Sequence, residues 1–126
     1  MAHTINYNSE TNVIELSVRG EIFLSEQKEI FTEAIRMSKD KNCNMFLSDY
    51  SKATLKISTF EIYELPKYLT SIVDALGINV HLLKRAIIVA KDLDDYLFFE
   101  TVTANNKQTA KVFTDVDEAK KWLFNK

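Results

Sequence analysis

The sequence predicts an α/β fold: a single mixed, mostly parallel sheet of about five strands, opened by an antiparallel hairpin and covered by about four helices. Three observations predict it. Apolar residues alternate with period two at the start of the chain, short continuous apolar runs recur further on, and stretches of helical periodicity separate those runs. Strands that alternate with helices imply right-handed crossovers and parallel pairing. The composition agrees. The 126 residues are the length of one ordinary domain, read here as residues 1–126. A hydrophobic fraction of 46% and a charged fraction of 27% are those of a globular chain. Two glycines and one proline leave few places to break, so elements should be long and loops short, with no linker.

The elements follow in order. Ile5 and Tyr7, then Ile14, Leu16 and Val18, alternate with polar residues, and Asn8 to Asn12 form the turn between them. Ser25 is read as the cap of the first helix, with Ile30, Phe31, Ala34 and Ile35 on its inner face. Met45-Phe46-Leu47 marks a strand covered on both faces, which is expected to end at Asp49-Tyr50-Ser51. Ser58 and Glu61 have capping-box spacing before the stripe Leu65, Leu69, Ile72, Val73 and Leu76. Pro66 interrupts that stripe and should kink or split the helix, and Gly77 should stop it. Arg85 to Ala90 is the clearest buried strand. Asp92 or Asp94 is expected to cap a third helix with Phe98, Phe99 and Val102 inside. Ala110 to Phe113 reads as the last strand, and Asp115 opens a terminal helix anchored by Trp122 and Leu123.

Several function classes are disfavoured by composition. The formal net charge of -2 lacks the basic excess of a nucleic-acid footprint. Cys43 is the sole cysteine, so no internal disulfide forms, as in a reducing compartment. No signal-peptide pattern opens the chain, and the longest apolar run, Ala86 to Ala90, is too short to span a bilayer. A cytoplasmic location is the expectation.

The order of pieces carries a resemblance. The hairpin ends near Val18-Arg19-Gly20-Glu21-Ile22, a buried strand ends in Asp49-Tyr50-Ser51, and Arg85-Ala86-Ile87-Ile88-Val89 follows. The chain closes on Phe113-Thr114-Asp115, Glu118-Ala119 and Trp122-Leu123. This resembles the SpoIIAA-like superfamily of STAS domains and anti-sigma-factor antagonists, and within it an uncharacterised bacterial branch ending in Phe-x-Asp-x-x-Glu-Ala-x-x-Trp-Leu. The resemblance covers nearly the whole chain. It implies five strands, four helices, a regulatory or binding role and no catalysis. It also implies a phosphorylated serine in an Asp-Ser-Ser-Gly stretch at the start of the second helix. Counted from Asp49, that stretch falls on Ile57-Ser58-Thr59-Phe60, so Ser58 holds the acceptor position while Ile57 and Phe60 replace the Asp and the Gly.

The candidate sites each have a plainer reading. Ser58 caps a helix as readily as it accepts phosphate. Asp49 organises the turn that includes Ser51 as readily as it serves a site. Asp92, Asp94 and Asp95 fall short of a calcium loop, and acids at a helix start suit its dipole. His3, His81 and Cys43 lie in three separate contexts, so neither a catalytic triad nor a zinc site is expected. Phosphate-binding and dinucleotide-binding loops are missing, and no cofactor is expected. Phe60, Tyr63, Tyr68, Tyr96 and Phe98 crowd the second and third helices. They are core, or else an apolar pocket beside Pro66 or a partner face.

The reading that follows is a non-enzymatic regulatory or interaction domain. Its partner is another protein, bound around the second helix at Asp49, Ser51, Ser58 and Thr59, without a working phosphoserine switch. The alternative is a carrier that holds a small apolar or lipid-like molecule between helices. Neither nucleic acid nor a membrane span enters either reading.

Overall fold

The computed structural model describes residues 2–125. Strand β1 (Ala2–Asn8) pairs antiparallel with β2 (Val13–Ile22), Tyr7 facing Ile14. Asn12, at φ 56°, closes the turn between them, and its side chain accepts the Tyr7 hydroxyl. Helix α1 (Leu24–Lys41), strand β3 (Met45–Leu55), helix α2 (Thr59–Ala75), a 3-10 turn (Val80–Leu82), strand β4 (Lys84–Ile88), helix α3 (Leu93–Asn105), strand β5 (Thr109–Phe113) and helix α4 (Val116–Phe124) follow. The sheet order is β1-β2-β3-β4-β5, and every pair after the first is parallel. The predicted mixed sheet with four helices is the observed architecture.

That order decides the layers. Each crossover from β2 to β5 steps one strand in the same direction. Right-handed connections therefore put α1, α2 and α3 on one face. Leu16, Val18, Phe46, Tyr50, Ile87 and Val89 point at those helices and meet Ile30, Ile62, Leu65, Leu69 and Phe99. The other face carries a smaller core in which Val13, Ala86 and Ile88 receive Ala119 and Leu123 of α4. Period two along β4 explains the split, since Ile87 and Ile88 feed opposite cores.

Three local expectations are corrected. Helix α1 starts before Ser25: Phe23 is the capping residue, and the Glu26 carboxylate accepts its N–H over 2.6 Å. Strand β3 does not end at Asp49-Tyr50-Ser51. It continues to Leu55 past a bulge, where Ser17 faces Asp49 but Arg19 faces Lys52. Asp49 accepts the Ser51 N–H over 2.9 Å, which satisfies an amide beside the extra residue. Helix α2 is not split by Pro66, which lies buried within the continuous Thr59–Ala75 helix. Gly77 does stop that helix, at φ 72°, with Gly77 N–H on Asp74 O and Ile78 N–H on Val73 O.

Candidate functional site

Because β2 to β5 are parallel, their C-terminal ends and the N-termini of all four helices share one edge of the domain. Each helix start there bears an exposed apolar side chain: Phe23, Phe60, Leu93 and Val116. Tyr63 and Leu97 add two more, one turn further along α2 and α3. Among the described residues, two other large apolar side chains are exposed, Leu82 and Phe124, both at the opposite edge. Phe60 is 72% exposed, the highest of the eight. It borders a groove of about 410 Å³ between α1 and α2, lined also by Leu24, Lys28, Glu64, Lys67 and Tyr68. Lysines cover two aromatic rings here. Lys67 Nζ lies 4.5 Å from the Tyr63 ring centre and Lys28 Nζ 5.0 Å from that of Tyr68.

Ser58 sits on this rim, fully committed to the helix. Its Oγ accepts the Glu61 N–H over 3.2 Å, and the Glu61 carboxylate accepts the Ser58 N–H over 2.9 Å. Thr59 is the first helical residue and is exposed. Asp49 and Ser51 lie within β3, half-buried, and among the described residues no hydrogen bond joins them to Ser58 or Thr59. Asp92 stands at the cap position of α3 but makes no capping bond. At φ 57° its carboxylate instead accepts the Leu55 N–H over 3.0 Å, tying the end of β3 to the start of α3.

The five aromatics of the second and third helices part company. Phe60 and Tyr68 line the outer groove, Tyr63 is exposed, Phe98 packs half-buried on the core, and Tyr96 is buried in an inner cavity. That cavity, about 50 Å³, lies between the sheet and α1, α2 and α3. Ile57, Ile62, Leu65, Ile87 and Phe99 wall it, and Gln27, Ser48, Tyr50, Arg85 and Tyr96 are its polar groups. Arg85 is 7% exposed. Its Nη2 donates to Gln108 Oε1 over 3.1 Å, while its Nε has no partner. Gln108 in turn donates to Pro66 O and Thr70 Oγ1, both over 2.8 Å. Burial lowers Arg85 from 12.5 to about 10, partly opposed by Tyr50. It pushes the Tyr50 hydroxyl up to about 12, against the Gln27 hydrogen bond and the Arg85 charge. Tyr96 is pushed up further, by burial first and then by Tyr50, Asp92 and Asp95. Its hydroxyl has no partner.

Sequence reasoning passed over Arg85 and Gln108 as site residues. A signal was present, since Arg85 is the one charged residue opening a run of five apolar ones. The remaining chemistry-bearing residues stay apart. His3 Nε2 pairs with Glu33 over 2.8 Å, His81 Nδ1 meets Lys107 O over 2.8 Å, and Cys43 is buried. Among the described residues no three His, Cys, Asp or Glu side chains group as metal ligands, and no helix is long and apolar enough to cross a membrane.

Neither protein-family models nor curated proteins match the sequence. Solved structures do. An uncharacterised protein of the DUF3478 family with a SpoIIAA-like fold, from Shewanella loihica PV-4, aligns with a TM-score of 0.58 at 15% identity, over 97% of this chain and 92% of that one. An anti-sigma factor antagonist from Mycobacterium paratuberculosis aligns at 0.57 and 14% identity, over 97% and 94%. The anti-sigma factor antagonist SpoIIAA in its unphosphorylated form aligns at 0.56 and 7% identity, over 99% and 100%. At these identities the likeness is one of architecture, and it extends over nearly the whole chain: the chain has the SpoIIAA-like fold.

Proposed function

We propose that the domain is a non-enzymatic, cytoplasmic interaction module that binds another protein at the edge where the parallel strands end. One observation carries this reading: among the described residues, six of the eight exposed large apolar side chains crowd that edge. The partner supplies an apolar segment that covers Phe60 and Tyr63, while Lys28, Glu64 and Lys67 form the polar margin of the groove. Two of the proteins that share the fold are anti-sigma factor antagonists, which supports a regulatory role. Ser58 acts as a cap in this reading, not as a phosphate acceptor. Both its Oγ and its N–H are already committed to Glu61 in the capping box. A lipid-like cargo has less support, because the inner cavity holds about 50 Å³ and the larger groove between α1 and α2 is bordered by charged Lys28, Glu61, Glu64 and Lys67.

A photo-crosslinking residue placed at Phe60 in the living host tests the proposal, with Leu82 at the opposite edge as the control. Position 60 should trap one protein in stoichiometric yield and position 82 should not. Equal trapping at both positions, or none at 60, would remove the rim as the binding face.

A further inference from the structure

The interior holds a cation without a counter-ion. Arg85 lies on β4 beneath α2 and α3, and its one hydrogen bond goes to the neutral Gln108. No carboxylate forms a salt bridge with it among the described residues. A buried charge without a partner costs several kcal/mol, so chains rarely keep one idle. The guanidinium borders the cavity of about 50 Å³ and also a second cavity of about 30 Å³. The two share Phe31, Ser48, Tyr50 and Arg85 in their linings. Two polar atoms of the larger cavity's lining lack partners, Arg85 Nε and the Tyr96 hydroxyl. Apart from Gln27, Ser48 and Tyr50, the rest of that lining is apolar.

We propose that this cavity is a binding site for a small monocarboxylate, whose carboxylate meets Arg85 and the Tyr96 hydroxyl and whose short alkyl part lies against Ile57, Ile62, Leu65 and Phe99. Three features select the ligand class. A monoanion matches the single buried charge, whereas a dianion would leave an excess charge in the core. Two carboxylate oxygens match two free donors. At ~10–15 Å³ per water-sized atom, the space suits roughly three to five non-hydrogen atoms, the size of acetate to propionate. None of these groups is exposed, and Leu65 alone among them also lines the outer groove of the partner-binding rim.

Thermal unfolding tests it, with sodium acetate and propionate compared against sodium chloride and sulfate at matched ionic strength. Binding to the native state should raise the Tm by about 5 °C at tenfold excess over Kd. Chloride should leave it unchanged, and sulfate should give only its general exclusion effect, of the same size in wild type and Tyr96→Phe. Arg85→Met, which replaces the charge by an apolar chain of similar length, should abolish the carboxylate response. Tyr96→Phe preserves volume and should weaken carboxylate binding at least tenfold, which decides the matter if Arg85→Met fails to fold. No rise with either carboxylate, an equal rise with chloride, or an undiminished response in Tyr96→Phe or in folded Arg85→Met would overturn the proposal.

Discussion

The Asp92 carboxylate accepts the Leu55 N–H over 3.0 Å and so couples two elements that meet at the apolar rim, the last residue of β3 and the start of α3. The bond depends on a left-handed backbone at Asp92, φ 57°, which Asp and Asn tolerate better than other side chains. Asp92→Ala should cost about 2–3 kcal/mol, combining the lost bond to a charged acceptor with the left-handed penalty. Asp92→Asn should cost about 1 kcal/mol or less, because it keeps an acceptor and the tolerance. Urea melts of the two variants check the ordering. Equal losses would mean that the carboxylate bond is idle.

Ser58 separates structure from regulation. Removing its oxygen in Ser58→Ala should cost about 1 kcal/mol, the usual worth of a cap. Ser58→Asp should melt like wild type, since Asp also caps and its charge suits the helix start. It should also bind the partner like wild type. A Ser58→Asp protein that melts normally and loses its partner would restore the phosphoserine switch.

Tyr50 predicts an alkaline signature. Its hydroxyl is buried, donates to Gln27 Oε1 over 3.0 Å and is pushed up from 10.0 to about 12. The unfolded chain therefore ionises first. The contribution of Tyr50 is fully present below pH 10 and is lost as the pH rises from 10 toward about 12. Arg85, lowered to about 10 from 12.5, works in the opposite sense over that range, so wild type alone does not isolate Tyr50. The stability difference between wild type and Tyr50→Phe should be flat up to pH 10 and fall beyond it. A difference that stays flat above pH 10 would place the hydroxyl in water.

Trp122 fixes α4 to the sheet. Its ring packs on Phe113 with centroids 5.7 Å apart, and Lys84 Nζ lies 4.6 Å over it. The same ammonium donates to the carbonyls of Trp122 over 2.8 Å and Leu123 over 3.2 Å, closing the helix end. The ring is half-buried, so Trp122→Ala should cost about 2 kcal/mol, less than a fully buried aromatic. Guanidinium unfolding followed by circular dichroism measures it, and a loss under about 0.5 kcal/mol would make α4 peripheral.

The legible parts of the fold were those set by neighbours in sequence. Period two along β2 and the apolar run in β4 mark their strands, and the Ser58–Glu61 box needs three residues to state itself. The parts that stayed hidden depend on distant partners. The bulge in β3 exists only in register with β2, so Asp49 and Ser51 read as a loop. Asp92 reads as a cap until its backbone is known to be left-handed. Pro66 reads as a breaker, yet the helix passes through it, and its carbonyl accepts from Gln108, 42 residues away. Gln108 holds Arg85 from 23 residues away, and nothing local to Gln108 announces that contact.

The affinity of the captured partner for two variants tests the central claim most directly. Phe60 is exposed at the rim and Leu82 at the far edge, so both can be exchanged for serine without touching the core. With purified partner, Phe60→Ser should weaken the Kd at least tenfold, as truncating an aromatic anchor does, while Leu82→Ser should match wild type. An unchanged Kd for Phe60→Ser, or an equal loss in both variants, would contradict a binding face at the strand ends.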